Sequence, residues 1–515
     1  MKDWAVPSQV LLAAILMSIL MSIAGVASAQ EPAAPAGVQL RLATLGGQTQ
    51  FRIGQPIWVT LTFEAASAPN YSVSTAVPLR HLRPQTPDQF TAEPAAGWVD
   101  PLKDLQWTMD AGGNPMRGNE SKLDPAHPVT VERSLNEFVV FRQSGHYVVH
   151  CSSSRVIGGQ GAKLESNGLA LEILPRDDAE DARQFTSARA TLESGKPPKE
   201  PERFMSTAKE NAQADAVRTL RFLDTEAAVV YLASIYGQSR HTEQDIEYAL
   251  YASQHREAIV RELERRLADP DLTVTQTYLI TLTQLKGRLE EAKTGHAPSS
   301  AVWDAIDESV NQRVFELAAG KAPQARADTY YYLFEIGSKS FRKTPEMRRL
   351  VLESMSSLSP FSIEILLSND WGQIRDASTQ LLPFLKQAAT RQWPQISPSI
   401  AGLALLRLAE FDATAANDLA RDALLSANFS IDDAQLLQFP VPTSPQLDQA
   451  LLSQYRQGKA VDARIARFAS PAVKDQLWRA YNEKIVARGQ PECTTPLLAY
   501  FFRVDPAAAA VRVAD

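Results

Sequence analysis

Leu220-Arg221-Phe222-Leu223-Asp224-Thr225-Glu226-Ala227-Ala228 is one of three occurrences of a single pattern: an apolar residue, two of any kind, another apolar residue, then Asp-x-x-Ala-Ala. It returns from Leu408 to Ala416 around Asp412, and from Phe501 to Ala509 around Asp505. An Asp side chain accepts the free N–H groups that open a helix, and the apolar residue before it can staple the first turn, so each Asp is expected to be an N-cap. Pro506 suits the first helical position. Asp412 lies 188 residues after Asp224 and Asp505 lies 93 after Asp412. Those spacings approximate four and two multiples of about 47, the length of a two-helix repeat. A helix pair buries its apolar face only against neighbouring pairs, so the pattern predicts stacked helix hairpins. That is an architecture and names no reaction.

Outward from the pattern, apolar residues recur with the 3.6-residue period from about 204 to 515. Val217, Leu220 and Leu223, then Ala227, Val230 and Tyr231, fit two successive amphipathic helices. Ile259, Leu263 and Leu267 lead into Asp269-Pro270, a cap followed by proline, and Leu279, Leu282 and Leu285 continue the period. Further helices are expected near 301–318, 324–336, 346–357, 372–389, 398–410, 413–426, 444–457, 460–469, 471–487 and 494–502. Connections such as Lys321-Ala322-Pro323 and Ser397-Pro398 are short, as antiparallel neighbours require.

Upstream the patterning changes. Residues 177–203 read as a polar, Pro-rich linker: Asp177, Asp178, Glu180 and Asp181 predict a short polar helix, and Lys196-Pro197-Pro198-Lys199-Glu200-Pro201 a semi-rigid hinge. Over 38–176 the period is two. Ile57, Val59, Leu61 and Phe63 alternate with Trp58, Thr60 and Thr62, which predicts a half-buried strand. Strands are also expected at 38–42, 71–77, 134–141, 147–156 and 169–174, with a Pro-, Asp- and Gly-rich insertion over about 78–128 consisting of loops and short strands near Trp98 and Trp107. Gly145-His146-Tyr147 after a turn matches the corner that opens a late strand in immunoglobulin-like sandwiches. Alternation points Tyr147, Val149 and Cys151 inward, and His146 and His150 outward.

The N-terminus carries a compartment signal. Residues 10–24 are almost unbroken apolar, and Ala27-Ser28-Ala29 supplies a small-residue cleavage site, so 1–29 is expected to be a signal peptide and 30–37 a disordered leader. The product is expected to be periplasmic or extracellular, with no membrane span once the signal is removed. A net charge of −7 over 515 residues lacks the basic stripe of a nucleic-acid binder. The two cysteines, Cys151 and Cys493, are read as free apolar residues rather than a bridge between domains.

Catalytic spacing is missing. The chain has no His-Glu-x-x-His, Gly-x-Ser-x-Gly, Walker-type or Gly-x-Gly-x-x-Gly motif. His146 and His150 share a strand face about 13 Å apart, too far to chelate one ion. No catalytic, cofactor-binding or metal-ligating residue is therefore assigned, and no cofactor is expected. The enzyme alternative is a carbohydrate-active enzyme with an accessory sandwich and a helical ring, which needs two carboxylates across a cleft. Asp304, Asp307 and Glu308, or Asp432 and Asp433, are the acids to inspect.

The helical half, on its apolar period, capping Asp and Ala-Ala, resembles a degenerate HEAT-repeat array. The whole resembles exported bacterial proteins with an immunoglobulin-like domain ahead of such an array. Phe439-Pro440-Val441-Pro442 and Gly489-Gln490-Pro491 depart from the regular spacing. The fold class is thus multidomain β plus α, an N-terminal immunoglobulin-like β-sandwich and a C-terminal α-helical repeat solenoid over 204–515. The resemblance implies scaffolding or partner binding and transfers no catalytic residue. A stack of hairpins curves, and its groove suits a protein partner in the envelope. Tyr330, Tyr331, Tyr332, Trp371 and Trp393 are the candidate partner-binding aromatics, with Trp478 beside them, although such residues also serve as inter-helix core. Glycan is a second possible ligand, through Trp58, Trp98 or Trp107 of the sandwich.

Overall fold

Strict alternation in Trp-Val-Thr-Leu-Thr-Phe-Glu-Ala makes residues 58–65 a strand whose every second side chain is buried, and the rest of the β region assembles around it. The structure is a computed structural model describing residues 37–66, 71–76, 87–103, 120–158, 163–194, 208–238, 242–391, 396–426, 431–488, 495–507 and 509–510. The expected signal peptide, the leader up to residue 36, Trp107, Trp393 and Cys493 lie outside the described residues.

The strands are β1 (Val38–Thr44), β2 (Gln50–Arg52), β3 (Trp58–Ala65), β4 (Ser72–Ser74), β5 (Asp88–Glu93), β6 (Trp98–Val99), β7 (Glu120–Lys122), β8 (Val129–Ser134), β9 (Val140–Phe141), β10 (Gly145–Ser153), β11 (Val156–Ile157), β12 (Leu164–Glu165) and β13 (Leu169–Leu174). One sheet has the order β1-β3-β8; a second has β12-β10-β13-β2, with β5 also on β10. Leu42, Val59, Leu61, Phe63 and Val131 from the first share a core with Phe90, Val149, Cys151, Leu171 and Ile173 from the second. Tyr147 is buried and its hydroxyl donates to the Gln143 carbonyl at 3.1 Å, closing the corner foreseen at Gly145. His146 is exposed and His150 half-buried, opposite the buried Tyr147, Val149 and Cys151.

Two strand expectations are corrected. The strand placed at 134–141 is instead the end of β8, a 3-10 turn at Leu135–Glu137, and β9. Asn136 turns the chain there: its carbonyl takes the Ile57 N–H at 2.6 Å and its amide donates to the Gln55 carbonyl at 3.1 Å. Within the stretch expected to be loops, β5 pairs with β10 from Asp88 to Glu93. Asp88 is fully buried because Arg155 grips it from Nε and Nη2, at 2.8 and 2.7 Å, and Ser153 donates to it at 2.9 Å. Arg133 stands 3.3 Å away.

The helices are α1 (Asp178–Glu193), α2 (Ala208–Leu223), α3 (Glu226–Ile235), α4 (Glu243–Ala252), α5 (Arg256–Arg266), α6 (Gln276–Thr294), α7 (Ser300–Ala318), α8 (Pro323–Ile336), α9 (Pro345–Ser354), α10 (Pro360–Ser368), α11 (Trp371–Ile374), α12 (Ser378–Ala389), α13 (Pro398–Ala409), α14 (Ala413–Leu425), α15 (Asp433–Leu436), α16 (Pro445–Arg456), α17 (Asp462–Phe468), α18 (Lys474–Arg488) and α19 (Thr495–Val504). The chain is therefore a multidomain β plus α protein. Packing divides it into two compact units, Met1–Glu262 and Leu263–Asp515.

In the first unit α1 is no free linker helix. Phe185 meets Tyr231 of α3 edge-on at 6.0 Å, and Arg176, just before α1, donates to the Leu223 carbonyl at 2.7 Å. In the second unit contacts run between neighbours in sequence or nearly so: α6 on α7, α7 on α8, α8 on α9, α12 on α13, α13 on α14, α14 on α16, with α10 also against α13. Among the described residues no helix is long and apolar enough to cross a membrane.

The repeated junction behaves differently at each site. Asp412 caps α14 as expected, accepting the Ala415 N–H at 2.9 Å. Asp224 does not cap; Thr225 caps α3 instead, accepting from Ala228 N–H at 3.3 Å. Other partners have claimed the Asp224 carboxylate, and its φ of 43° lies in the left-handed region. Asp505 takes the Lys474 ammonium at 2.7 Å.

Candidate functional site

The three consecutive tyrosines of α8 are about 100° apart around the helix, so they cannot share one environment. Tyr331 is buried and donates its hydroxyl to Asp370 Oδ2 at 2.9 Å. Burial drives that phenol's pKa upward, so it remains a donor. Tyr330 and Tyr332 are half-buried, the first 6.2 Å from the Phe315 ring of α7 and the second 5.5 Å from Tyr331. Trp371, next to Asp370, is buried; its indole N–H donates to Glu410 Oε2 at 2.8 Å. The Arg407 guanidinium lies 5.3 Å from the Trp371 ring and donates to Glu410 Oε1 at 2.8 Å. Phe411 meets the Trp371 ring edge-on at 5.7 Å.

Tyr331 and Trp371 thus meet through Asp370 in a seam joining α8, α11 and α13. Glu335, one turn beyond Tyr331, completes it. Glu335 is half-buried, and burial first, then the facing Asp370, raise its carboxyl to about 7. Sequence reading singled out the aromatics and missed Glu335, Asp370, Arg407 and Glu410. The i,i+4 spacing of Tyr331 and Glu335 was the available signal. Trp478 is buried and stacks on Phe501 at 3.7 Å.

The acids considered for glycan cleavage each have a local partner. Lys339 donates to Asp304 at 3.2 Å. The Asn311 amide donates to Asp307 Oδ1 at 3.0 Å, and burial raises the Asp307 carboxyl. Hydroxyls of Ser338 and Ser340 hold Glu308 below the usual carboxylate range. Asp432 caps α15 through the Ala434 N–H at 2.8 Å, and Arg464 donates to Asp433 at 2.6 Å.

Asp, Ser and His do come together in the first unit. The Ser253 hydroxyl donates to Asp224 Oδ1 at 2.6 Å, and the Ser253 oxygen accepts the His255 main-chain N–H at 3.0 Å. His255 Nε2 lies 3.0 Å from the Asp224 carbonyl oxygen. A nucleophilic serine needs an imidazole nitrogen on its hydroxyl, and here the hydroxyl proton goes to the carboxylate. The trio braces Asp224 in its strained conformation.

Among the described residues no group of three or more His, Cys, Asp or Glu side chains is placed to hold a metal ion. Cys151 is fully buried, and burial raises its thiol pKa beyond any reactive range. In the sandwich, Trp98 is half-buried and donates to the Ala92 carbonyl at 2.8 Å, whereas Trp58 is 38% exposed. No protein-family model matches the chain, and no curated protein matches it.

Proposed function

We propose that this chain is an exported, non-enzymatic binding protein that engages a protein partner in the cell envelope through the surface of a HEAT-like helical solenoid. One observation carries the reading: from Leu263 to Asp515, helices pack on near neighbours in sequence, the construction that gives extended binding surfaces rather than one enclosed pocket. The apolar run over 10–24 with Ala27-Ser28-Ala29 supports export, and the local structural use of Asp304, Asp307, Asp432 and Asp433 supports the absence of catalysis. Of the candidate aromatics on α8, Tyr330 and Tyr332 are half-buried and have surface to offer a partner. The test is cross-linking of the full chain in envelope fractions. A stoichiometric protein partner lost in a Tyr330→Ala/Tyr332→Ala variant is expected. Glycan turnover abolished by Asp304→Asn or Asp307→Asn would overturn the reading.

The exposure of Trp58 favours one second reading, a polysaccharide-binding protein. Thr60 and Thr62 lie half-buried on the same outward face of β3. Binding of the protein to cell-wall glycan, lost in Trp58→Ala, distinguishes that reading.

A further inference from the structure

Asn167-Gly168 is the chain's one Asn-Gly step, and it lies exposed in the loop between β12 and β13. In such a step the Gly main-chain nitrogen can close a succinimide ring on the Asn side-chain carbon, because no β-carbon crowds its approach. The glycine is held in place by packing: a Cβ at 168 would lie 2.8 Å from Val148 Cγ1 and 3.2 Å from His150 Cε1 of β10. Asn167 is also a clasp between the two sheets. Its Oδ1 accepts the Leu42 N–H of β1 at 2.8 Å, and its Nδ2 donates to the Leu42 carbonyl at 3.1 Å and the Gly168 carbonyl at 3.2 Å. Ser166 donates its hydroxyl to the Asn167 main-chain carbonyl at 2.8 Å, while its oxygen takes the Cys151 N–H at 2.9 Å.

We propose that Asn167 is a self-modification site, where closure of a succinimide with Gly168 turns the clasp into an aspartyl or isoaspartyl residue in the folded protein. Two donors already in place stabilise the charge that the reaction develops. Loss of the Gly168 N–H proton to hydroxide puts negative charge partly on the Asn167 carbonyl oxygen, where the Ser166 hydroxyl sits. The Gly168 nitrogen then bonds to Cγ, and the charge moves to Oδ1, where the Leu42 N–H points. The Cγ–Nδ2 bond breaks as Nδ2 takes a proton from water and leaves as ammonia. Water opens the ring at either carbonyl, so that overall an amide and water become an acid and ammonia. The new carboxylate has no N–H to give. The Leu42 carbonyl therefore loses its donor and faces an acceptor instead, and the link between β1 and the β12–β13 loop weakens as the protein ages.

The test is ageing of the full-length native protein in warm, mildly alkaline buffer, followed by peptide mapping with mass spectrometry and isoaspartate-specific methylation. Residue 167 should convert ahead of every other asparagine, as a mixture of aspartyl and isoaspartyl forms. Ser166→Ala removes the donor on the Asn167 carbonyl and should slow conversion about tenfold, the effect of a one-unit rise in the pKa of the Gly168 N–H. The same chain unfolded in guanidinium lacks both donors and should also convert more slowly at 167, a comparison that needs no variant to fold. A native protein that converts no faster at 167 than the unfolded chain overturns the proposal, and so does a folded Ser166→Ala protein with the wild-type rate. Aged protein should exchange the main-chain hydrogens of 38–44 faster than fresh protein. Equal exchange in the two would refute the loss of the clasp.

Discussion

Arg142, in the turn that leads into β10, forms an ion pair with Asp224, the residue that follows α2, and the Asp224 side chain is only 4% exposed. Nη2 of the same arginine reaches the Ala252 carbonyl at the end of α4, at 3.4 Å. A second contact lies nearby, where Arg221 of α2 meets Glu137 of the 3-10 turn at 2.9 Å. The strands of the first unit are therefore tied to its helices by charge on both sides: a strand-side cation with a helix-side acid, and the reverse.

Removing Asp224 leaves Arg142 without its counter-charge and Ser253 without its acceptor. Breaking one partner of a largely buried pair costs about 3 kcal/mol. Asp224→Ala should lower stability by that order in denaturant unfolding of the full chain. Asp224→Gly, which relaxes the positive φ but loses the same partners, should recover only part of it. A loss below about 0.5 kcal/mol would show that solvent replaces the carboxylate.

Lys321 donates its amine to three carbonyls, those of Leu267, Asp269 and Leu272, at 3.1, 3.0 and 2.9 Å. Lys321→Met should cost about 2–3 kcal/mol, because buried carbonyls at the end of α5 lose their donor. Burial lowers this amine to about 8 from 10.5. The folded state then binds fewer protons than the unfolded one between those values, so stability rises with pH from about 8 to 10.5. Thermal unfolding across that window should show the rise in wild type and its loss in Lys321→Met.

Gly287 sits inside α6, directly beneath the Trp303 ring of α7, where an added Cβ would overlap the indole. Helix propensity alone favours Gly287→Ala by about 1 kcal/mol. Overpacking against a rigid ring costs about 1–3 kcal/mol, so the net effect should be destabilising. Displacement of Trp303 should also change the tryptophan fluorescence, and a stabilised variant with unchanged emission would refute the account.

Tyr147→Phe removes only the hydroxyl that donates to the Gln143 carbonyl. A loss of about 1 kcal/mol is expected from equilibrium unfolding, the usual contribution of one such bond.

Much of the helical half could be read in advance because its starts are written locally. Ser299, Thr344, Ser397 and Ser444 each cap a helix through the N–H three residues on, and a proline follows three of them. Helix α10 escaped because Phe361, Ile363, Ile365, Leu366 and Leu367 spread around its circumference, leaving no apolar stripe. Strand β5 escaped because its pairing with β10 and the Asp88–Arg155 contact join residues far apart in the chain. Asp224 looked like Asp412, yet Arg142, 82 residues earlier, decided its role. The same distance hid the seam: Tyr331 and Trp371 stood out as aromatics, while the hydrogen bond from Tyr331 to Asp370 exists only once α8 and the turn before α11 meet.

Asn167 lies against β1 at Leu42. Its side chain accepts the Leu42 N–H at 2.8 Å and donates to the Leu42 carbonyl at 3.1 Å, imitating a neighbouring strand at the outer border of β1. An extended segment from another molecule finds both main-chain groups of that residue already occupied. Strand-by-strand association between copies, the start of fibrillar aggregation, is thereby obstructed at the centre of β1.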